Sequence, residues 1–366
     1  MLRILQCVNI MDRAGLETML MNYYRKIDRT KIQFDFLTHR PDRGAYDDEI
    51  EAMGGRIYYA PRLYPQNYAA YYRYMKRFFE EHPEYSIIHS HIDAMSAFPL
   101  LAAKISHIPH RIAHSHTSKL DKDLKLPIKL TALKCIPSLA NIYCACGEVA
   151  GRFMFPTQEF KLIRNAIDLG RFQFDPQIRQ RVRAEQGWEN KRVIGHVGRF
   201  CYIKNQLFLL DVLKNLQEHR EDCHLVLIGS GEDEQKIRDK INALGLSGHV
   251  SVLMNRDDVA QLYQGMDLFV MPSLFEGLPM VAVEAQASGV PCIFSDKISK
   301  EVLLTDTAEM LPLDAGVEGW TEAILRADTS RNDHAATQLR EKGYDICAEA
   351  QKLQQWYELL ENHSAQ

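Results

Sequence analysis

The stretch Asp267-Leu268-Phe269-Val270-Met271-Pro272-Ser273-Leu274-Phe275-Glu276-Gly277-Leu278-Pro279-Met280-Val281-Ala282-Val283-Glu284-Ala285 reads as a buried strand, a tight loop and the opening of a helix. Pro279 suits the first helical turn, where a missing amide costs nothing. The amides of Gly277 and Leu278 then face outward at a helix N-terminus, which is a ready anion site; Pro279 itself contributes no amide. Two carboxylates flank that site. Glu276 lies in the loop, and Glu284 lies about one and a half turns beyond Pro279. Each can accept two hydrogen bonds from a vicinal diol, so the pattern suits a ligand with hydroxyls close to its phosphates.

The same strand–loop–helix unit recurs on both sides. Strands are expected at 193–197, 225–228, 250–253, 267–271 and 291–294, with helices at 206–218, 232–244, 257–265 and 279–288 between them. The first half gives strands at 2–8, 32–37, 56–58, 87–89, 111–114, 141–145 and 161–163, with a helix from Glu17 to Ile27. Alternation of this kind predicts an α/β fold with two doubly wound, Rossmann-like sheets that bind ligands at the carboxyl ends of their strands. The expected domains are 1–175 and 176–344, with the polar stretch 171–190 as the crossing between them. An amphipathic helix within 345–366 is expected to cross back onto the first domain.

Two further loops repeat the logic. Gly198-Arg199-Phe200-Cys201-Tyr202-Ile203-Lys204-Asn205-Gln206 follows a strand, and its two cations can neutralise a diphosphate without a metal. Gly229-Ser230-Gly231 follows the next strand, but Glu234 stands where a dinucleotide fingerprint has its third glycine. Simple turn glycines explain that pair equally well.

Composition narrows the classes. Hydrophobic residues make up 46% and charged residues 25%, as in an ordinary globular protein. The eight cysteines form no Cys-x-x-Cys pair, and no apolar run is long enough to span a bilayer. With no signal peptide at Met1-Leu2-Arg3-Ile4, reduced thiols and a cytoplasmic location are expected. Residues 1–175 hold 24 Lys+Arg against 19 Asp+Glu, a net of +5, and 176–366 hold 20 against 29, a net of −9. The basic excess is too small for a nucleic-acid binder but suits an anionic ligand or surface.

Glu276-x7-Glu284 within Phe275-Glu276-Gly277-Leu278-Pro279, together with Gly198-Arg199 and Lys204, resembles the retaining glycosyltransferases of family four (group 1 type, GT-B fold). The likeness extends over His114-Ser115-His116, Asn165-Ala166-Ile167-Asp168 and Met266 to Ser273, and is strongest to members that build capsules and exopolysaccharides. It implies two Rossmann-like domains facing across a cleft, the first for acceptor and the second for donor. It implies that Arg199 and Lys204 stabilise the donor diphosphate, Glu284 holds the ribose, and Glu276 holds the donor-sugar hydroxyls. His116 would lie beside the reacting sugar. Gly15, Gly198, Gly229, Gly231, Asn255, Ser273, Gly277, Leu278 and Pro279 would surround the donor, with a nucleotide sugar as substrate and no metal or other cofactor. Ala14-Gly15 and Asn165-Ala166 depart from the Gly-Gly and Asn-Gly of many relatives, which touches loop geometry and no charged group.

Other readings stand beside these. Glu276 and Glu284 taken alone would be solvated surface residues. His89, His91, His114 and His116 could surround a metal, although the spacing matches no zinc pattern; a structural role is the plainer one for His114. Asp121-Lys122-Asp123 has the form of a metal-binding Asp-x-Asp, but it sits among lysines rather than behind a strand. The segment 119–134 interleaves lysines with Leu and Ile, giving a solvated helix face, a patch for anionic membrane headgroups, or a contact to a pyrophosphate-linked acceptor. An epimerase or hydrolase of the same fold, and a catalytically silent partner in a polysaccharide assembly complex, are the rival functions.

Overall fold

The computed structural model describes residues 1–120 and 125–364, so Asp121-Lys122-Asp123 and Leu124, near the start of the 119–134 segment, lie outside the described residues. The chain forms two compact units: Met1–Ala166 joined by the segment from Asp345 onward, and Ile167–Tyr344.

Unit 1 runs β1 (Leu2–Val8), α1 (Gly15–Lys26), β2 (Ile32–Thr38), α2 (Asp47–Ala52), β3 (Ile57–Tyr59), α3 (Tyr68–Glu81) and β4 (Ile87–Ser90). It continues with α4 (Ala97–Ile105), β5 (His110–Ser115), α5 (Leu126–Leu139), β6 (Ile142–Ala145), α6 (Glu148–Met154) and β7 (Lys161–Leu162). The parallel sheet has the order β3-β2-β1-β4-β5-β6-β7. Its central strands are buried on both faces, and β2 reads Ile-Gln-Phe-Asp-Phe-Leu-Thr with every residue buried, whereas the edge strands β3 and β7 are only partly covered. Asp35 in that strand accepts from Arg3, from the Tyr85 hydroxyl at 2.7 Å and from the Arg56 amide at 2.7 Å, so its buried charge is fully partnered.

Unit 2 runs α7 (Leu169–Phe172), α8 (Pro176–Gln186), β8 (Arg192–Val197), α9 (Gln206–His219), β9 (Cys223–Ile228), α10 (Glu234–Ala243), β10 (Val250–Leu253) and α11 (Val259–Gly265). It closes with β11 (Leu268–Met271), α12 (Met280–Ala287), β12 (Cys292–Ser295), β13 (Ala308–Leu311), α13 (Gly316–Arg326) and α14 (Ala335–Glu341). The order is β10-β9-β8-β11-β12-β13, again all parallel. The last helix, α15 (Ile346–Ser364), belongs to unit 1, where Ile346, Ala350, Leu353 and Tyr357 join the core with Ile4, Phe34 and Ile87.

The stretch expected to be a polar crossing is a helix. Asp175 caps α8 by accepting from the Gln177 amide, Pro176 opens it, and Gly187 ends it in the left-handed conformation at φ 67. Its inner face buries Val182 and packs on α11, with Arg179 and Arg183 turned inward and, of its arginines, only Arg181 exposed. The division between units therefore falls at Ala166/Ile167 rather than after 175. Strand β13 is an addition at the sheet edge; its Ala-Glu-Met-Leu sequence is half-buried and lacks a strand signature.

In both sheets the chain reverses direction beside the first strand, between β1 and β4 and between β8 and β11. Such switch points open a crevice at the carboxyl ends of the strands. At the opposite end of β11, Asp267 binds Arg179, Arg183 Nη1 at 3.0 Å and the Val193 amide at 2.7 Å. Removing one partner of a mostly buried ionic cluster leaves the others uncompensated. Asp267→Ala is expected to cost about 3–5 kcal/mol of unfolding free energy, measured by urea titration with the native circular dichroism retained in buffer.

Candidate active site

The polar loops of unit 2 meet at its switch point. After β8 the chain passes Gly198 and Arg199, makes a short turn at Tyr202–Lys204, and enters α9 through Asn205 at φ 58. After β11 it passes Pro272 to Pro279 and enters α12. The Leu274 amide donates to the Ile203 carbonyl at 2.8 Å, and the Asn205 side chain donates to the Pro272 carbonyl at 3.1 Å. These bonds bring Lys204 Nζ to 2.6 Å from Glu276 Oε1, with the side chains only 14% and 18% exposed. Glu276 is also held by its backbone, which forms a bridge with Ile298.

Glycine is required where the loops press together. A Cβ on Gly229 would stand 2.0 Å from the Gly198 carbonyl oxygen, and one on Gly231 would stand 2.3 Å from that of Phe200. The loop after β9 thus packs on the loop after β8, and a Cβ on Gly198 would crowd the Lys204 stem at 3.3 Å. Around Gly277 the space is open. Leu278 turns into the core, and Pro279 occupies the cap position one residue ahead of α12.

Glu284, inside α12, is half-buried and accepts from the Tyr263 hydroxyl at 3.2 Å. Burial pushes its carboxyl above the ordinary range, against the pull of that hydrogen bond. Arg199 departs from the expected pairing. It is 70% exposed and bonds Glu232 at 3.0 Å, while its carbonyl is fixed by the Gln206 amide at 2.8 Å. Ser273 is fully buried, with its hydroxyl out of reach of solvent. Asn255 is exposed beyond β10 with φ 50.

The remaining expected residues lie in unit 1. Gly15 opens α1, two residues ahead of Glu17, which is buried at 8% exposure. Burial, reinforced by Asp12, pushes the Glu17 carboxyl up to about 7. His116 follows β5; its amide donates to Asp93 at 2.9 Å and its Nε2 lies 2.9 Å from His91 Nδ1. His114 is fully buried, as a structural histidine would be. The ligand nitrogens of His89, His91 and His114 lie within 4.8 Å of one another, so three of the four histidines raised as a possible cluster are brought together. The His89 and His91 rings stack at 4.2 Å, and those of His114 and His116 at 4.1 Å.

The sequence reading missed Tyr263, Glu232, Gln206 and the carboxyl of Glu17. Gln206 alone carried a signal, as a polar residue opening a helix directly after two site loops.

Two doubly wound units, each with polar loops gathered at its switch point, define a two-domain α/β architecture. Residues 13–171 match the glycosyltransferase family 4 profile and residues 178–343 the glycosyl transferases group 1 profile. A Bacillus subtilis (strain 168) protein that goes by the name of glycosyltransferase EpsF is 38% identical over 360 residues, covering 94% of this chain and 93% of that one. The capsular polysaccharide biosynthesis glycosyltransferase CapH of Staphylococcus aureus is 25% identical, covering 98% and 99%. The Anabaena HepE structure in complex with UDP-glucose superposes with a TM-score of 0.80 at 18% identity, over 98% of this chain and 100% of that one. The chain belongs to the group 1, family four glycosyltransferases, and its fold is GT-B.

The Glu17 carboxyl titrates higher in the folded chain than in an unfolded one, so its burial costs stability as pH rises from about 4.5 through about 7. Glu17→Gln is expected to melt at a higher temperature than wild type at pH 8, with the difference vanishing below pH 4.5. Equal melting temperatures across that range would show Glu17 to be solvated.

Proposed function

We propose that the chain transfers a hexosyl or N-acetylhexosaminyl group, with retention and without a metal, from a UDP-sugar to a glycan or lipid-linked acceptor in cell-surface polysaccharide synthesis. The observation that carries this is the Lys204–Glu276 pair, held between two glycine-bearing loops at the switch point of unit 2. A diphosphate matches the lysine, and sugar hydroxyls match the carboxylate. One ligand carrying both groups can take over each partner as it enters.

In the transfer, the bond from donor C1 to the leaving phosphate oxygen breaks through an oxocarbenium-like transition state. Negative charge grows on that oxygen, and Lys204 stabilises it, with Arg199 after exchange from Glu232. The acceptor hydroxyl attacks from the same face, and its proton passes to the departing phosphate, so no separate base is needed. Glu284 takes the ribose hydroxyls, which form hydrogen bonds worth more to a part-buried carboxylate than to an exposed one. Capsular polysaccharide synthesis by CapH and the UDP-glucose complex of HepE support the setting and the donor.

For the acceptor, unit 1 has a cavity of about 580 Å³ at the ends of β1, β2 and β3, lined by Asn9, Arg40, Arg62, Tyr64, Lys125 and Lys129. Four cations around one hollow favour a phosphate-bearing acceptor. With Leu130 exposed on α5, they also favour the cytoplasmic face of a membrane. No helix among the described residues is long and apolar enough to cross that membrane. An epimerase or hydrolase would turn over donor without acceptor, and a silent partner would turn over nothing.

A nucleotide-sugar panel read by thermal shift in EDTA tests the donor half. One UDP-sugar is expected to stabilise wild type and not Glu284→Ala, and Lys204→Ala is expected to lower kcat on the order of 100–1000-fold. Stabilisation that appears only with added Mg²⁺ or Mn²⁺ would refute the metal-free site. For the acceptor half, the double variant Arg40→Gln/Arg62→Gln is expected to raise KM about tenfold for a diphosphate-linked acceptor, the donor KM being unchanged.

A further inference from the structure

One face of the unit 1 sheet carries a row of buried and half-buried polar side chains: Gln6 on β1, His89 on β4 with His91 just beyond it, and His114 on β5 with the half-buried His116 just beyond it. Tyr357 of α15 closes over them. Their polar atoms join end to end. His114 Nδ1 lies 3.1 Å from His89 Nε2, and His89 Nδ1 lies 2.6 Å from the Tyr357 hydroxyl. The Gln6 amide nitrogen lies 3.4 Å from Tyr357, and its carbonyl oxygen lies 2.8 Å from His91 Nε2. His91 Nδ1 completes the chain at 2.9 Å from His116 Nε2.

Burial keeps all four imidazoles neutral, so each ring donates through one nitrogen and accepts through the other. Such a chain has a direction, and one link sets the rest. The Gln6 side chain supplies that link, because its amide nitrogen can only donate, here to the Tyr357 oxygen, and its carbonyl oxygen can only accept, here from His91, which leaves the Tyr357 proton for His89. Tyr357 therefore donates to His89 Nδ1, and its oxygen accepts from the Gln6 amide. That orients the Gln6 carbonyl to accept from His91 Nε2–H. His91 Nδ1, left bare, accepts from His116 Nε2–H. At the far end the proton reaches His114 Nε2, an atom that is buried with no partner among the described residues.

We propose that Gln6 and Tyr357 are positioning residues that fix His116 as its Nε2–H tautomer, so that the bare Nδ1 is offered to a substrate hydroxyl. This rests on the reading of His116 as the histidine beside the reacting sugar. A bare Nδ1 accepts from a sugar O–H and repels a phosphate oxygen, which can only accept; the other tautomer would reverse both preferences. The chain therefore makes His116 select for a hydroxyl donor. No proton changes hands in this role.

The test is a long-range ¹H–¹⁵N spectrum of the full chain labelled with ¹⁵N-histidine, in which His116 is assigned by the signals lost in His116→Asn. Wild type is expected to show His116 protonated at Nε2 and bare at Nδ1. Gln6→Met and Tyr357→Phe, each checked for native circular dichroism, are expected to give mixed tautomers and transfer slowed about tenfold, with the donor-induced thermal shift retained. A wild-type His116 protonated at Nδ1 overturns the proposal, as does an unchanged tautomer in both variants. Stoichiometric zinc that survives chelation and is lost in His114→Gln overturns it too, because ligation consumes the nitrogens that hydrogen-bond here. The tautomer is read without donor or acceptor. An expected tautomer in a protein that transfers nothing would refute the glycosyl-transfer reading and leave the hydrogen-bond chain standing.

Discussion

Lys204 and Glu276 sit in different βα loops, and neither charge is well hydrated. A part-buried ion pair contributes little net stability, yet losing one partner leaves the other uncompensated. That asymmetry ties the two loops together in the absence of ligand. It makes the Gly229–Gly198 approach matter, because the loop after β8 can hold Lys204 in place only if its neighbour packs on it without a side chain between them. The Asn205 and Leu274 hydrogen bonds close the same seam from the other side. On the proposed reading, donor binding trades one ion pair for a phosphate on the lysine and hydroxyls on the carboxylate. The site would then meet the transition state with its charges already placed, which is where electrostatic catalysis gains most.

The sheets determine where such a pair can stand. Parallel strands buried on both faces leave their polar chemistry to the loops at one end, and the switch point is the place where neighbouring loops part. Unit 2 places its charged loops there, after β8 and β11. Unit 1 places the Gly15 loop after β1 and His91 just beyond β4 at the equivalent point.

What the sequence made legible follows from the range of the forces involved. Strand–loop–helix alternation is local, so both sheets and the loops carrying Gly198, Lys204 and Glu276 could be read from adjacent residues. Helix α8 was legible in principle through Asp175, Pro176 and Gly187, but its arginines obscured a stripe whose only buried residue is Val182. Partnerships across the fold were not legible. Arg199 with Glu232, Glu284 with Tyr263 and Gln6 with Tyr357 are each separated by tens to hundreds of residues, and their geometry exists only once the strands are in register. The histidines lie between these cases: the sequence offered His89, His91, His114 and His116 as a possible cluster, while the parallel pairing of β4 with β5 that brings them together could not be read from their spacing.

The two units manage polarity in opposite ways, and the contrast bears on their division of labour. Unit 2 keeps formal charges at its switch point, on Lys204, Glu276 and Arg199, with partners that a ligand can displace. Unit 1 surrounds His116 with imidazoles whose burial forbids charge, so that the residue it presents is neutral with His116 depressed to about 3. A fixed positive charge beside an attacking hydroxyl would compete with the leaving phosphate for the negative charge that drives bond cleavage, whereas a neutral acceptor nitrogen orients the hydroxyl without stabilising the wrong atom. On the proposed reading, charge belongs where the diphosphate leaves and hydrogen-bond direction without charge where the hydroxyl enters, which is the distribution that a retaining transfer with phosphate-assisted proton removal would require.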